Sequence, residues 1–239
     1  MKKNFSLIIQ VVLGIGAYYI LSYYIDNIFL LLGVFVVIGM ALIIIKSLYI
    51  RNPAEVLEIL VNPQKHFETI KRFELRDPNK YNTLYAYGLT YTGEYEEAQV
   101  IIDKVFYKDI KTSANLHYVY YVVKLHLAYN NKDRELYKET LEKAKGLGVF
   151  EKVDVLNGAF EAHSLILEGY SEEAEELLKK VIPKIQKKVL VIELEYLLAL
   201  AYANQGKTDD CKAVCEFISE RNRQVVHTIL CKELLDTIS

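Results

Sequence analysis

Two uncharged stretches lie almost back to back at the start of the chain: 22 residues from Asn4 to Ile25 and 19 from Asn27 to Ile45, parted by Asp26. Each matches the roughly 20 apolar residues that cross about 30 Å of hydrocarbon as a helix. Asp26-Asn27 suits a tight turn, because both side chains can bond their own backbone. The sequence therefore predicts an antiparallel transmembrane hairpin over residues 1–51, with spans near 5–25 and 28–50 in contact with the lipid bilayer. Gly14, Gly16 and Ala17 on one span, and Gly33, Gly39 and Ala41 on the other, allow close approach. Tyr18, Tyr19, Tyr23 and Tyr24 form an aromatic belt. Lys2 and Lys3 precede the hairpin, Lys46 and Arg51 follow it, and the turn carries no Lys or Arg. The positive-inside rule then gives an integral protein of the cell membrane with both termini cytoplasmic. A cleaved signal peptide fits less well, because the apolar run is too long and no A-x-A site follows.

Beyond Arg51 the character changes. The remaining residues carry 25 basic and 30 acidic side chains, interspersed, for a net charge of −5. Nucleic acid asks for a basic face, so it is excluded as a partner. Three cysteines, all late in the chain, give no disulfide framework and point to reduced thiols. Asn52-Pro53, Asn62-Pro63 and Asp77-Pro78 each place a capping side chain before a proline at the first helical position, with Glu55 as a capping-box partner of Asn52. No stretch combines sustained period-two alternation with turn signals, so the expectation is all-α.

One unit recurs. Gly93-Glu94-Tyr95-Glu96-Glu97-Ala98 and Gly169-Tyr170-Ser171-Glu172-Glu173-Ala174 both end a helix at glycine and set a small alanine five residues on. Gly206 to Cys211 repeats the spacing with cysteine in the small slot, and Asn131 to Leu136 is a weaker copy with Asn as the helix stop. The turn residues Gly93, Asn131, Gly169 and Gly206 are separated by 38, 38 and 37 residues. A helix, a short turn and a second helix at this period mean an α-solenoid, whose neighbours must stack to bury their apolar faces. Ala86 and Leu89, Ala162 and Leu165, and Ala199 and Tyr202 stand seven and four residues before the turn glycines.

On these residues the chain resembles the tetratricopeptide repeat proteins over about residues 79–220, with related longer helical-hairpin solenoids as the alternative. The resemblance implies a right-handed α-solenoid of helix-turn-helix repeats. Capping helices or a linker would occupy 52–78, the repeats 79–239, and a last helix near 222–237 would cover the open end.

Chemistry is sparse. Ala201-x4-Gly206-Lys207-Thr208 fits a loose phosphate-loop pattern, but helix precedes it and the glycine is already explained by the repeat turn. Cys211 and Cys215 on one helix, with His227 and Cys231 on the next, are candidate zinc ligands if Cys215 faces His227 and Cys211 faces Cys231. The competing reading is that these cysteines pack as small apolar residues. No nucleophile elbow or metalloprotease motif appears, so no catalytic residue, cofactor or enzymatic activity is expected. In the solenoid register the first helices line an inner groove, with Tyr87, Tyr91, Tyr118, Tyr121, Tyr129, His163 and Tyr196 as candidate contacts. Such a groove suits an extended or helical peptide. The expected function is a membrane-anchored scaffold that binds a protein or peptide segment. The alternative is an accessory or regulatory subunit of a membrane complex, with a structural zinc site in the last helices.

Overall fold

The computed structural model describes residues 53–149, 154–221 and 224–238. The helices are α1 (Pro53–Leu60), α2 (Pro63–Ile70), α3 (Pro78–Thr92), α4 (Tyr95–Ile102), α5 (Tyr107–Ile110), α6 (Ala114–Asn130), α7 (Arg134–Gly146), α8 (Asp154–Glu168), α9 (Ser171–Val181), α10 (Lys188–Asn204), α11 (Thr208–Arg221) and α12 (Val226–Ile238). Among the described residues there is no strand.

The transmembrane hairpin expected over residues 1–51, and with it the bilayer contact at 5–50, lies outside the described residues. Among the described residues no helix is long and apolar enough to cross a membrane. The expectation of an integral membrane protein with cytoplasmic termini therefore has no structural support and is withdrawn.

Two of the three capping signals are met, and the third, at Asn52, lies outside the described residues. The Asn62 side chain accepts from the Lys65 N–H at 2.9 Å, and the Asp77 side chain accepts from the Lys80 N–H at 3.1 Å. The helix-turn-helix unit also recurs, with one shift of register. Gly93, Gly169 and Gly206 adopt φ of 88°, 89° and 72°, and in the fourth turn it is Lys132, not Asn131, that is left-handed, at φ 54°. In each turn the next residue's N–H returns to the carbonyl five residues earlier: Glu94 to Leu89, Asp133 to Ala128, Tyr170 to Leu165 and Lys207 to Tyr202. This bond closes the last turn of a helix on a left-handed residue. Counting five from the left-handed residue gives Ala98, Tyr137, Ala174 and Cys211, all buried. Counting from Asn131 had placed Leu136 in that slot, and Leu136 is 45% exposed.

The packing departs from an open stack. Most consecutive helices pack in turn, but α10 also packs on α1, and α12 packs on α3. Glu58 of α1 accepts from Lys187 at 2.9 Å, next to the start of α10. A Cβ on Gly93, at the end of α3, would lie 2.8 Å from the Val226 Cγ2 of α12. The late helices thus return to the early ones. The first helices of successive units, α3, α6, α8 and α10, come to share one interior together with α12.

Candidate functional site

Helix α10 sets the centre of that interior. Between Lys188 and Asn204 its sequence is apolar or aromatic on all sides except for Glu193 and Glu195. A helix apolar all round is a buried helix, and a charge within it needs compensation. Glu193 is 3% exposed and receives that compensation from three other helices. Tyr91 of α3 donates its hydroxyl to Oε2 at 2.9 Å. His163 of α8 places Nε2 2.7 Å from Oε1. His126 of α6 places Nε2 2.9 Å from the same oxygen, close enough to pair but off the line of a hydrogen bond.

The outer ring nitrogens fix the two imidazoles. His163 Nδ1 lies 3.0 Å from the Ala159 carbonyl. Both of its nitrogens therefore face oxygens, which holds the ring at either end. His126 Nδ1 lies 3.2 Å from Thr90 Oγ1, whose own hydrogen goes to the Tyr87 carbonyl, so Thr90 accepts from the ring. Burial alone would raise the Glu193 carboxyl, but the imidazoles of His126 and His163 overrule it and hold the group well below the usual carboxylate range. Four helices are thereby tied to one carboxylate.

A cavity of about 580 Å³ opens beside this network. That is within the ~300–1,000 Å³ of ordinary ligand sites. Its base holds Glu193, His126, His163 and His227; its walls are Tyr95, Tyr129 and Tyr196 with Ile166, Leu167, Leu197, Leu200 and Leu230. Asn130, Lys132, Arg134 and Asn204, all exposed, stand at its mouth. Burial chiefly, with Glu193 behind it, pushes the Tyr95 hydroxyl up to about 12, and burial also raises Tyr129 and Tyr196. These phenols stay neutral, able both to donate and to accept. His227 is neutral for a related reason: burial drives its imidazole down to about 4, against the pull of Glu193 and reinforced by His126 and His163. Its Nδ1 is buried with no hydrogen-bond partner among the described residues.

Of the groove candidates, Tyr129, His163 and Tyr196 meet at this cavity. Tyr87 and Tyr91 do not. Each is 1% exposed, with its hydroxyl consumed by Glu58 at 3.2 Å and by Glu193 at 2.9 Å, respectively. They are core residues because α1, α10 and α12 cover the face that an open stack would have left free. Tyr118 lies half-buried under the Lys187 ammonium, 4.0 Å from its ring centre. Tyr121 is 3% exposed and faces a different hollow, with Tyr107 and Tyr120. The groove candidates therefore do not share one surface.

The zinc expectation is also corrected. Cys211, Cys215 and Cys231 are all fully buried, and Cys215 lies against Cys231 and Cys211 rather than facing His227. His227 turns instead toward Tyr91 and Tyr196, at ring distances of 6.1 and 5.6 Å. Among the described residues no three His, Cys, Asp or Glu side chains are placed to hold a metal ion.

The sequence reading missed Glu193, His126, Tyr95, Lys132 and Arg134. Two of them carried a signal. Glu193 is an acid inside an apolar helix, and His126 sits in the apolar run of α6; both call for buried partners.

Protein-family models, curated proteins and solved structures all return no match to the chain. The resemblance to tetratricopeptide repeats is accordingly withdrawn as a family assignment. What stands is a helical, repeat-like all-α fold.

Proposed function

We propose that the chain is a non-enzymatic binding module that holds a segment of another protein in the central cavity. One observation carries this reading. Three neutral phenols, Tyr95, Tyr129 and Tyr196, line the cavity, and among the described residues their hydroxyls make no hydrogen bond to the protein. Aromatic bodies with unspent polar tips are the groups on which interfaces concentrate their energy. The histidine–glutamate network beneath them has a structural role in this reading. It holds α3, α6, α8 and α10 in place, so the walls are set before a partner arrives, which lowers the ordering cost of binding.

The test is positional. A photo-crosslinking phenylalanine analogue replaces Tyr129 or Tyr196 in the full chain, and Lys104, exposed on the α4–α5 connection, serves as the control site. Adducts to the same protein from both cavity positions and not from Lys104 are expected. Equal labelling from all three sites would sink the assignment.

A further inference from the structure

We propose that the held segment presents a carboxylate beside a bulky apolar side chain: the carboxylate sits at the mouth on Lys132 and Arg134, the apolar body against Tyr129, Tyr196 and Leu200. This rests on the reading of the cavity as a site for a protein segment.

Charge is the first argument. From Asn52 onward acids outnumber bases 30 to 25, and many of the cations are spent. Lys124 pairs with Asp103, Lys145 with Glu142 and Glu161, Lys187 with Glu58, and Lys179 and Lys207 with Glu175. Lys132 and Arg134 make no ion pair among the described residues, yet both line the cavity. The one acid among the lining residues, Glu193, is already taken by His163 and Tyr91. The site is therefore cationic within an acidic domain, and charge complementarity selects an anion.

The second argument is conformational. Lys132 stands at φ 54° where the three sister turns have glycine. A non-glycine residue in this region is strained, and glycine there would remove that strain. Strain of this kind persists where the side chain has a use, and here it sets an ammonium at the mouth.

The experiment pans a random heptapeptide phage library on the full chain, with counter-selection on Leu200→Trp, which fills the cavity. Peptides in which Asp or Glu neighbours Phe, Tyr or Leu are expected. Their affinity should fall at least about tenfold, or ~1.4 kcal/mol, in Lys132→Glu/Arg134→Glu, and likewise when the peptide acids become amides. Lys132→Gly should melt higher and bind these peptides more weakly; higher melting with unchanged binding overturns the role given to Lys132. Selection of basic or uncharged peptides overturns the carboxylate and leaves the capture reading standing. If no peptide depends on the cavity, capture itself fails. Stabilisation by decanoate in that case would assign the cavity to a small amphipathic carboxylate instead.

Discussion

Two buried clusters of reactive side chains behave in opposite ways. Glu193, His163 and His126, drawn from three helices, are compensated polar groups beside an open cavity. Cys211, Cys215 and Cys231 are just as buried but lie on α11 and α12 among apolar neighbours. Cys211 fills the slot that Ala98 and Ala174 fill in sister units. Burial is common to both, so burial does not mark a site. What separates them is a charge placed inside an apolar wall, balanced from several helices and left next to empty space. The thiols are packing, and the histidine–glutamate group is architecture beside the proposed site.

The largest effect should come from breaking the carboxylate centre. Glu193→Ala leaves Tyr91, His126 and His163 buried without their shared partner and should lower stability by about 3–5 kcal/mol in urea denaturation. A loss below about 1 kcal/mol would erase the contrast between the two clusters.

Acid should then separate them by sign. His227 titrates at about 4 in the fold against 6.5 for the free group. The unfolded chain takes the proton first, so stability is whole above pH 6.5 and declines toward pH 4, by about 3 kcal/mol. Glu193, held below the usual range, adds a further loss as the pH falls through its folded value. The thiols run the other way. Burial, then Cys215, lifts Cys211 from 9.0 to about 11, so the unfolded thiol ionises first and stability falls as pH rises through that window. Urea midpoints across pH should show both limbs, and His227→Gln should flatten the acid limb alone.

Smaller effects test the thiol side. Cys215→Ser buries a hydroxyl among apolar groups and should cost about 1–3 kcal/mol. Cys211→Ala copies the sister units and should change stability by less than about 1 kcal/mol. A large loss at Cys211, read from the thermal midpoint, would mean that the thiols do more than pack.

Much of the fold was legible locally. Asn62 and Asp77 were identified as caps before prolines, and both cap. The small slots Ala86, Ala98, Ala162, Ala174 and Ala199 are all fully buried. The fourth turn was misread by one residue, because Asn131 is the better helix stop by type while Lys132 carries the positive φ. The site was legible only in part: Tyr129, His163 and Tyr196 were named, and Glu193 and His126 were passed over.

What the sequence determined by itself is whatever a few consecutive residues decide: where a helix starts, where it stops on a left-handed residue, and which of its faces is apolar. Tertiary structure alone decided which apolar face meets which. Nothing in the periodicity of α3 states that α10 and α12 will cover it, yet that contact makes Tyr87 and Tyr91 core rather than groove. The same closure brings Tyr91 and Glu193 together across 102 residues of chain. The physical reason is that the hydrophobic effect is non-directional: it requires each stripe to be buried and leaves the choice of partner to how the whole set of helices packs.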